Sequence, residues 1–168
     1  EPPAVGADLA IGSLIKNPGG GMAESGGYLA GTARAVELAS YRLTTPGLGL
    51  EVGATLGQNK NLFRGLFYAP HTVGEALKTA HFAAYIFREM GFTVEPQPGE
   101  RRSDIIQTVI TGKPELLCAF CRGIQAGSPV EAYVTPEPWA MPGYADEVIM
   151  AAGAFVQGAS IELSADGP

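Results

Sequence analysis

Ser13, Lys16 and the run Gly19, Gly20 and Gly21 are the residues of this chain whose types and spacing could do chemistry. Lys16 closes the apolar run Leu14-Ile15 and faces Asn17, Pro18 and then the three glycines. A lysine in that place has two readings. It is a strand-end side chain that snorkels into solvent, or it is a nucleophile held beside something anionic. In the second case bare glycine amides could form an anion-binding concavity, and the hydroxyl of Ser13, three residues earlier, could donate to the same anion. The order is not that of the phosphate loop of nucleotide-binding proteins, in which Gly-Lys-Ser/Thr follows the glycines.

The remaining reactive side chains form weaker patterns. Cys118 and Cys121 make a Cys-x-x-Cys pair, but inside an apolar helical segment rather than at a helix N-terminus that would activate a thiol, and without two further zinc ligands. They read as buried thiols. His71 and His81 are ten residues apart, which puts them on different faces of a helix, and no metal-ligating set accompanies them. Asp146, Glu147 and Glu162 read as solvated carboxylates. No metal is expected.

Several elements must position these residues. Residues 8–15 read as a short buried strand ending at Lys16, and residues 26–31 as a second strand. Thr32 then caps a helix running to Leu43, with Val36, Ala39 and Leu43 on one face. Residues 47–58 read as a loop lying against other structure, because Leu48, Leu50, Val52 and Leu56 interleave with its glycines. A helix is expected from the capping box at Thr72 to the stop at Gly91, with Val73, Ala76, Leu77, Ala80, Ala84 and Phe87 on its buried face. The segment before it, from Lys60, also reads as helical, broken by Pro70. Residues 103–111 suggest a strand and residues 114–127 a helix that starts with Pro114 and stops at Gly127. Thr135 to Pro142 suggests a long loop, and 148–156 with 159–166 a closing hairpin in which Ile161, Leu163 and Ala165 share a face. The shift to Pro, Glu and Arg after Gly91 suggests a boundary near residue 92, giving units 1–92 and 93–168.

Composition narrows the classes. The 168 residues are 46% hydrophobic and 17% charged, enough for one ordinary core. A net charge of -6 excludes a nucleic-acid footprint. The most apolar stretch, 73–90, carries Glu75, Lys78, Arg88 and Glu89, so no membrane span is expected. Glycine, at 23 residues, is about twice as common as the ~7% of average chains, which suggests close backbone approaches. Two cysteines without a disulfide framework fit a cytoplasmic protein. A chain that opens on Glu1 and stops on Pro168 is expected to be part of a longer one.

The stretches VGADLAIGSLIKNPGGGMAESGGYLAG, GLFYAPHTVGEALK, PELLCAFCRGIQAGSPV, VTPEPW and MPGYADEVIMAAGAFVQGASIELSADGP are similar, nearly end to end, to the aluminium-resistance or methionine gamma-lyase-like family of pyridoxal-phosphate enzymes. Within the wider cysteine and methionine metabolism group, Ser13 to Lys16 resembles a Ser-x-Thr-Lys motif, with Ile15 in place of threonine. Arg64-Gly65-Leu66 resembles an Arg-Gly-Leu before a long helix. The resemblance implies an α/β chain, a fragment of the PLP-dependent transferase fold: the end of the large cofactor domain in 1–92 and part of the small C-terminal domain in 93–168. It implies pyridoxal 5'-phosphate as cofactor, Lys16 as Schiff-base lysine and proton carrier, and Ser13 as a contact to the cofactor phosphate, with Gly19, Gly20 and Gly21 as a backbone nest. Apolar neighbours such as Leu14 and Ile15 would favour the uncharged amine that this role needs. It further implies elimination from a sulfur amino acid, a homo-oligomer, and ring-stacking and carboxylate-binding residues outside the chain. The run Ile161-Glu162-Leu163-Ser164 has glutamate where the wider group has its carboxylate-binding arginine. The competing expectation is a non-catalytic fragment or scaffold serving only assembly.

Overall fold

The computed structural model describes residues 2–43, 46–159 and 161–168. They form an α/β arrangement that packs as two compact units, Glu1–Ala69 and Pro70–Pro168. This division by packing falls inside a helix and differs in kind from the domain boundary expected at residues 92 and 93. All strand pairs among the described residues are antiparallel.

In the first unit, β1 (Leu9–Ser13) pairs with β2 (Gly27–Gly31), Leu9 opposite Gly31 and Ser13 opposite Gly27. The bond from Leu14 N–H to Gly26 O, 2.9 Å, carries the ladder one residue further. The chain between the strands is therefore a closed excursion holding Lys16 and its glycines. Gly12 stands opposite Tyr28, whose ring occupies the space a Cβ there would need. Helix α1 (Ala33–Leu43) begins as its sequence predicts. Thr32 Oγ1 accepts the Ala35 N–H at 3.2 Å, and Thr32 N–H itself donates to Asp8 O at the start of β1. The following loop departs from expectation. Leu48, Leu50, Val52 and Leu56 are exposed, Leu56 at 89%, and only Gly49, in a single turn of 3-10 helix against α1, is buried. The described residues of this unit leave those leucines more than half exposed.

Helix α2 (Asn59–Glu89) is continuous over 31 residues. Pro70 does not break it, and the box at Thr72 does not start it. A proline inside a helix costs about 3 kcal/mol through a lost bond and a ring clash. That cost is confined to one turn, whereas the turns before it bury Gly65 and Ala69 and those after it bury Ala80 and Ala84. The face expected from Val73 to Phe87 is the buried or half-buried one.

The second unit has its own core. Helix α3 (Pro114–Ala126), with Pro114 in its first turn, lies on the sheet β5 (Trp139–Ala140), β6 (Glu147–Ala152), β7 (Ser164–Gly167). Cys121, Ile149 and Ala151 are at most 1% exposed, and Leu117, Phe120, Ile124 and Ala165 close around them. Phe120 meets Phe87 of α2 edge to face, ring centres 5.3 Å apart. Gln125, 3% exposed, ties three segments together: its Nε2 donates to Glu131 O and its Oε1 accepts the Ala152 N–H, each at 2.9 Å. A small hairpin, β3 (Thr93–Glu95) with β4 (Thr108–Ile110), is held to α2 by Arg102, which donates to Ala80 O, Ile106 O and Gln107 Oε1.

Three expectations here need correction. The strand read over 103–111 shrinks to Thr108–Ile110, because Asp104 Oδ1 takes the Ile106 N–H at 2.9 Å and turns the chain. The loop read over Thr135 to Pro142 contains β5, whose Trp139 pairs with Val148. The closing hairpin exists, but pairing starts at Ala152 with Ser164, so its connection is long. Ile161 is buried and Leu163 is 51% exposed, so the expected alternation fails. Ser160 lies outside the described residues.

Candidate functional site

The site is built on the excursion between β1 and β2. Ser13 ends β1, half-buried and paired with Gly27. Lys16 follows in extended conformation, φ -97°, and leads into a 3-10 turn over Asn17–Gly19, with Pro18 fixing its second residue. The turn closes on itself: Gly19 N–H donates to Lys16 O at 2.9 Å, Gly20 N–H to Asn17 O at 3.1 Å, and Met22 N–H to Gly19 O at 2.9 Å. The backbone on which Lys16 stands is thus anchored from both sides, by the strand ladder before it and by this turn after it.

The glycines do something the sequence reading did not anticipate. Gly19 and Gly20 are buried, and Gly20 has φ +58°, a conformation that disfavours any Cβ. A Cβ on Gly19 would overlap Leu14 O. One on Gly20 would overlap Gly65 O and stand 3.0 Å from Ala69 N, and one on Gly65 would overlap Gly19 O. The turn therefore rests backbone against backbone on α2. Their amides serve the turn itself, so these two glycines act in this chain as a close-packing element, whereas Gly21 is exposed. Sequence reasoning named Gly65 only within Arg64-Gly65-Leu66 and passed over Ala69, so the packing role of both was missed. Small residues four apart in an otherwise bulky apolar helix segment were the available signal.

Lys16 is exposed, and Leu14 and Ile15 are half-buried. The shielding expected of those two neighbours is not completed within the chain. The other reactive side chains lie in the second unit. Burial holds the Cys121 thiol above its ordinary value, with smaller effects from Asp166 and Cys118, as suits an inert core thiol. Glu75, exposed, is held below the usual carboxylate range first by its hydrogen bond from Lys78 Nζ at 2.6 Å and then by that ammonium's charge. Among the described residues no three His, Cys, Asp or Glu gather as a metal set, and no helix is long and apolar enough to cross a membrane.

Known proteins share this architecture throughout. A carbon-sulfur lyase involved in aluminium resistance from Clostridium novyi superposes on the whole chain with a TM-score of 0.93 at 55% identity, and the chain covers 39% of that structure. A Listeria monocytogenes protein, which carries the provisional name cystathionine beta-lyase involved in aluminium resistance, does so with a TM-score of 0.96 at 53% identity, over 42% of its length. Among curated sequences, the uncharacterized protein YnbB of Bacillus subtilis is 55% identical over all 168 residues. An uncharacterized 33.9 kDa protein of Lactobacillus delbrueckii is 50% identical over the same span. The chain spans 40% and 55% of the lengths of these two relatives, so its elements are part of a larger fold. The methionine gamma-lyase family model matches residues 1–168 without a break, and the chain belongs to that family.

Proposed function

We propose that this chain is part of a pyridoxal-phosphate-dependent carbon-sulfur lyase, within the PLP-dependent transferase fold, that eliminates a sulfur leaving group from a small sulfur amino acid. The observation that supports this most is the unbroken similarity to a carbon-sulfur lyase through the segment that carries Lys16. The residues present fit the cofactor in kind. Lys16 offers an exposed primary amine on a backbone clamped by the β1–β2 ladder and the glycine turn, and Ser13 offers a hydroxyl three residues away at the end of β1.

Bound cofactor supplies an electron sink for the carbanion formed at the substrate α-carbon. Lys16 would hold the cofactor through its Nζ, and the same amine would serve as the base for the substrate α-proton. The sulfur leaving group would depart with the electron pair of the carbon–sulfur bond. Ser13 would donate to the cofactor phosphate, and the Gly19–Gly20 turn keeps the Lys16 backbone in place.

The isolated chain is expected to be inactive. A 17.4 kDa globular protein exposes about 7,900 Å² by the usual scaling, and even two separate half-size globules about 9,500 Å². This chain exposes 11151 Å², with Phe63, Leu66, Phe67, Phe82 and Phe155 all more than half exposed. That surface fits assembly with the rest of the protein and with further copies in a cytoplasmic homo-oligomer. The test uses the full-length protein: a visible absorbance band on adding pyridoxal phosphate, borohydride reduction, and peptide mapping. Label on Lys16 is expected. No band, or label elsewhere, would favour the scaffold alternative.

A further inference from the structure

We infer that Gly65 is a positioning residue: the backbone contact between its turn of α2 and the Gly19–Gly20 turn sets where the Lys16 amine stands. The inference rests on the reading of Lys16 as the cofactor lysine. Three features of the contact carry it. It is reciprocal, since a Cβ on Gly65 would overlap Gly19 O while a Cβ on Gly20 would overlap Gly65 O. It is made of backbone on both sides, since a Cβ built on Gly65 would also stand 2.9 Å from Gly19 C and 3.3 Å from Gly19 Cα, so no side chain can swing aside to make room. It also has no slack toward Lys16. The Gly19 N–H donates to Lys16 O, and a Cβ on Gly19 would overlap Leu14 O and stand 2.9 Å from the Cβ of Ala23, itself 1% exposed. A methyl group at Gly65 must therefore lift the turn off α2, and the lift passes to the residue whose carbonyl the turn holds.

Gly74 provides the matched comparison. It lies in the same helix, yet a Cβ there meets nothing within 4 Å. Any effect of Gly65→Ala beyond that of Gly74→Ala belongs to the contact and not to helix propensity. A displacement on the order of 1 Å at a reacting group costs roughly a hundredfold in rate.

The experiment compares wild type, Gly65→Ala, Gly74→Ala and Lys16→Ala in the full-length protein. Two quantities are read: the rate of covalent attachment of pyridoxal phosphate, followed by its absorbance, and the labelling of Lys16 relative to Lys60 by an amine reagent in the cofactor-free protein. Expected for Gly65→Ala is roughly a hundredfold slower attachment and a changed Lys16-to-Lys60 labelling ratio, with Gly74→Ala matching wild type in both. If Gly65→Ala does not accumulate as folded protein, Ala69→Ser, one atom larger beside Gly20, takes its place with the same direction and a smaller change. Wild-type behaviour of whichever variant folds overturns the inference while leaving the role of Lys16 intact. Attachment at wild-type rate in Lys16→Ala overturns the reading of Lys16, and the inference with it.

Discussion

Each of the two units is stabilised internally by different means. In Pro70–Pro168 large side chains do the packing: Ile149, Val94 and Cys121 are essentially inaccessible, and α3 closes over β6 and β7 as in any small domain. In Glu1–Ala69 the buried positions among the described residues are small ones, Gly19, Gly20, Ala23, Ser40, Gly49, Gly65 and Ala69. Many of its large apolar residues, Leu50, Leu56, Phe63 and Phe67 among them, are exposed, and others such as Leu14 and Ile15 are only half-buried. One unit has a core, and the other has a scaffold of close backbone contacts that leaves its apolar groups for something else to cover. The segment proposed to hold the cofactor is built in the second manner. Backbone-to-backbone packing fixes a loop more stiffly than side chains do, but it buries little apolar area and contributes little hydrophobic stability.

The contrast can be broken most directly with two large-to-small substitutions in the full-length protein. Ile149→Ala should cost about 2–5 kcal/mol wherever it is measured, because its surroundings are already complete. Phe67→Ala should cost about 3–5 kcal/mol there too, although Phe67 is 77% exposed in this chain. A loss below about 0.5 kcal/mol in urea unfolding would mark that face as true surface. A next, smaller effect sharpens the picture of the second unit. Gln125→Ala removes a buried side chain that accepts the Ala152 N–H and donates to Glu131 O, and should lower stability by about 1–3 kcal/mol, seen as a lower urea midpoint at unchanged slope.

In the first unit, where side-chain packing is sparse, local bonds matter relatively more. Thr32→Ala removes the cap of α1 and should cost about 1 kcal/mol, with Thr32→Ser restoring most of it in the same assay. The smallest effect is one of pH. Burial raises the Cys121 thiol, so the folded state keeps its proton where the unfolded chain releases it. Its contribution is whole below the unfolded thiol value, about 8.5, and is lost as pH rises through the higher folded value. Urea midpoints should therefore fall more steeply on the alkaline side in wild type than in Cys121→Ala, and parallel curves would count against this account.

Much of the local structure was legible in the chain itself. Thr32 announces the start of α1 and Pro114 that of α3, and the spacing from Val73 to Phe87 marks the inner face of α2, because caps and periodicity act over a few residues. The core thiol Cys121 was legible from its helical setting for the same reason, whereas Cys118, read as buried too, is only half-buried against that core. Pro70 was misleading, since a single missing donor is a local penalty that a long helix packed on both sides of it overrides. The hairpin after Ala152 was drawn too tight, because register depends on partners that sequence does not display.

For the candidate site, the residue types and their order were fixed by the sequence alone: a serine, a lysine and a glycine run in one short segment. What those glycines do was settled only in three dimensions, where Gly19 and Gly20 meet Gly65 and Ala69 from more than forty residues away. Sequence patterns report which conformations a residue permits. Which surface the permitted conformation is pressed against depends on contacts between segments far apart in the chain, and those exist only once the helix and the turn have come together.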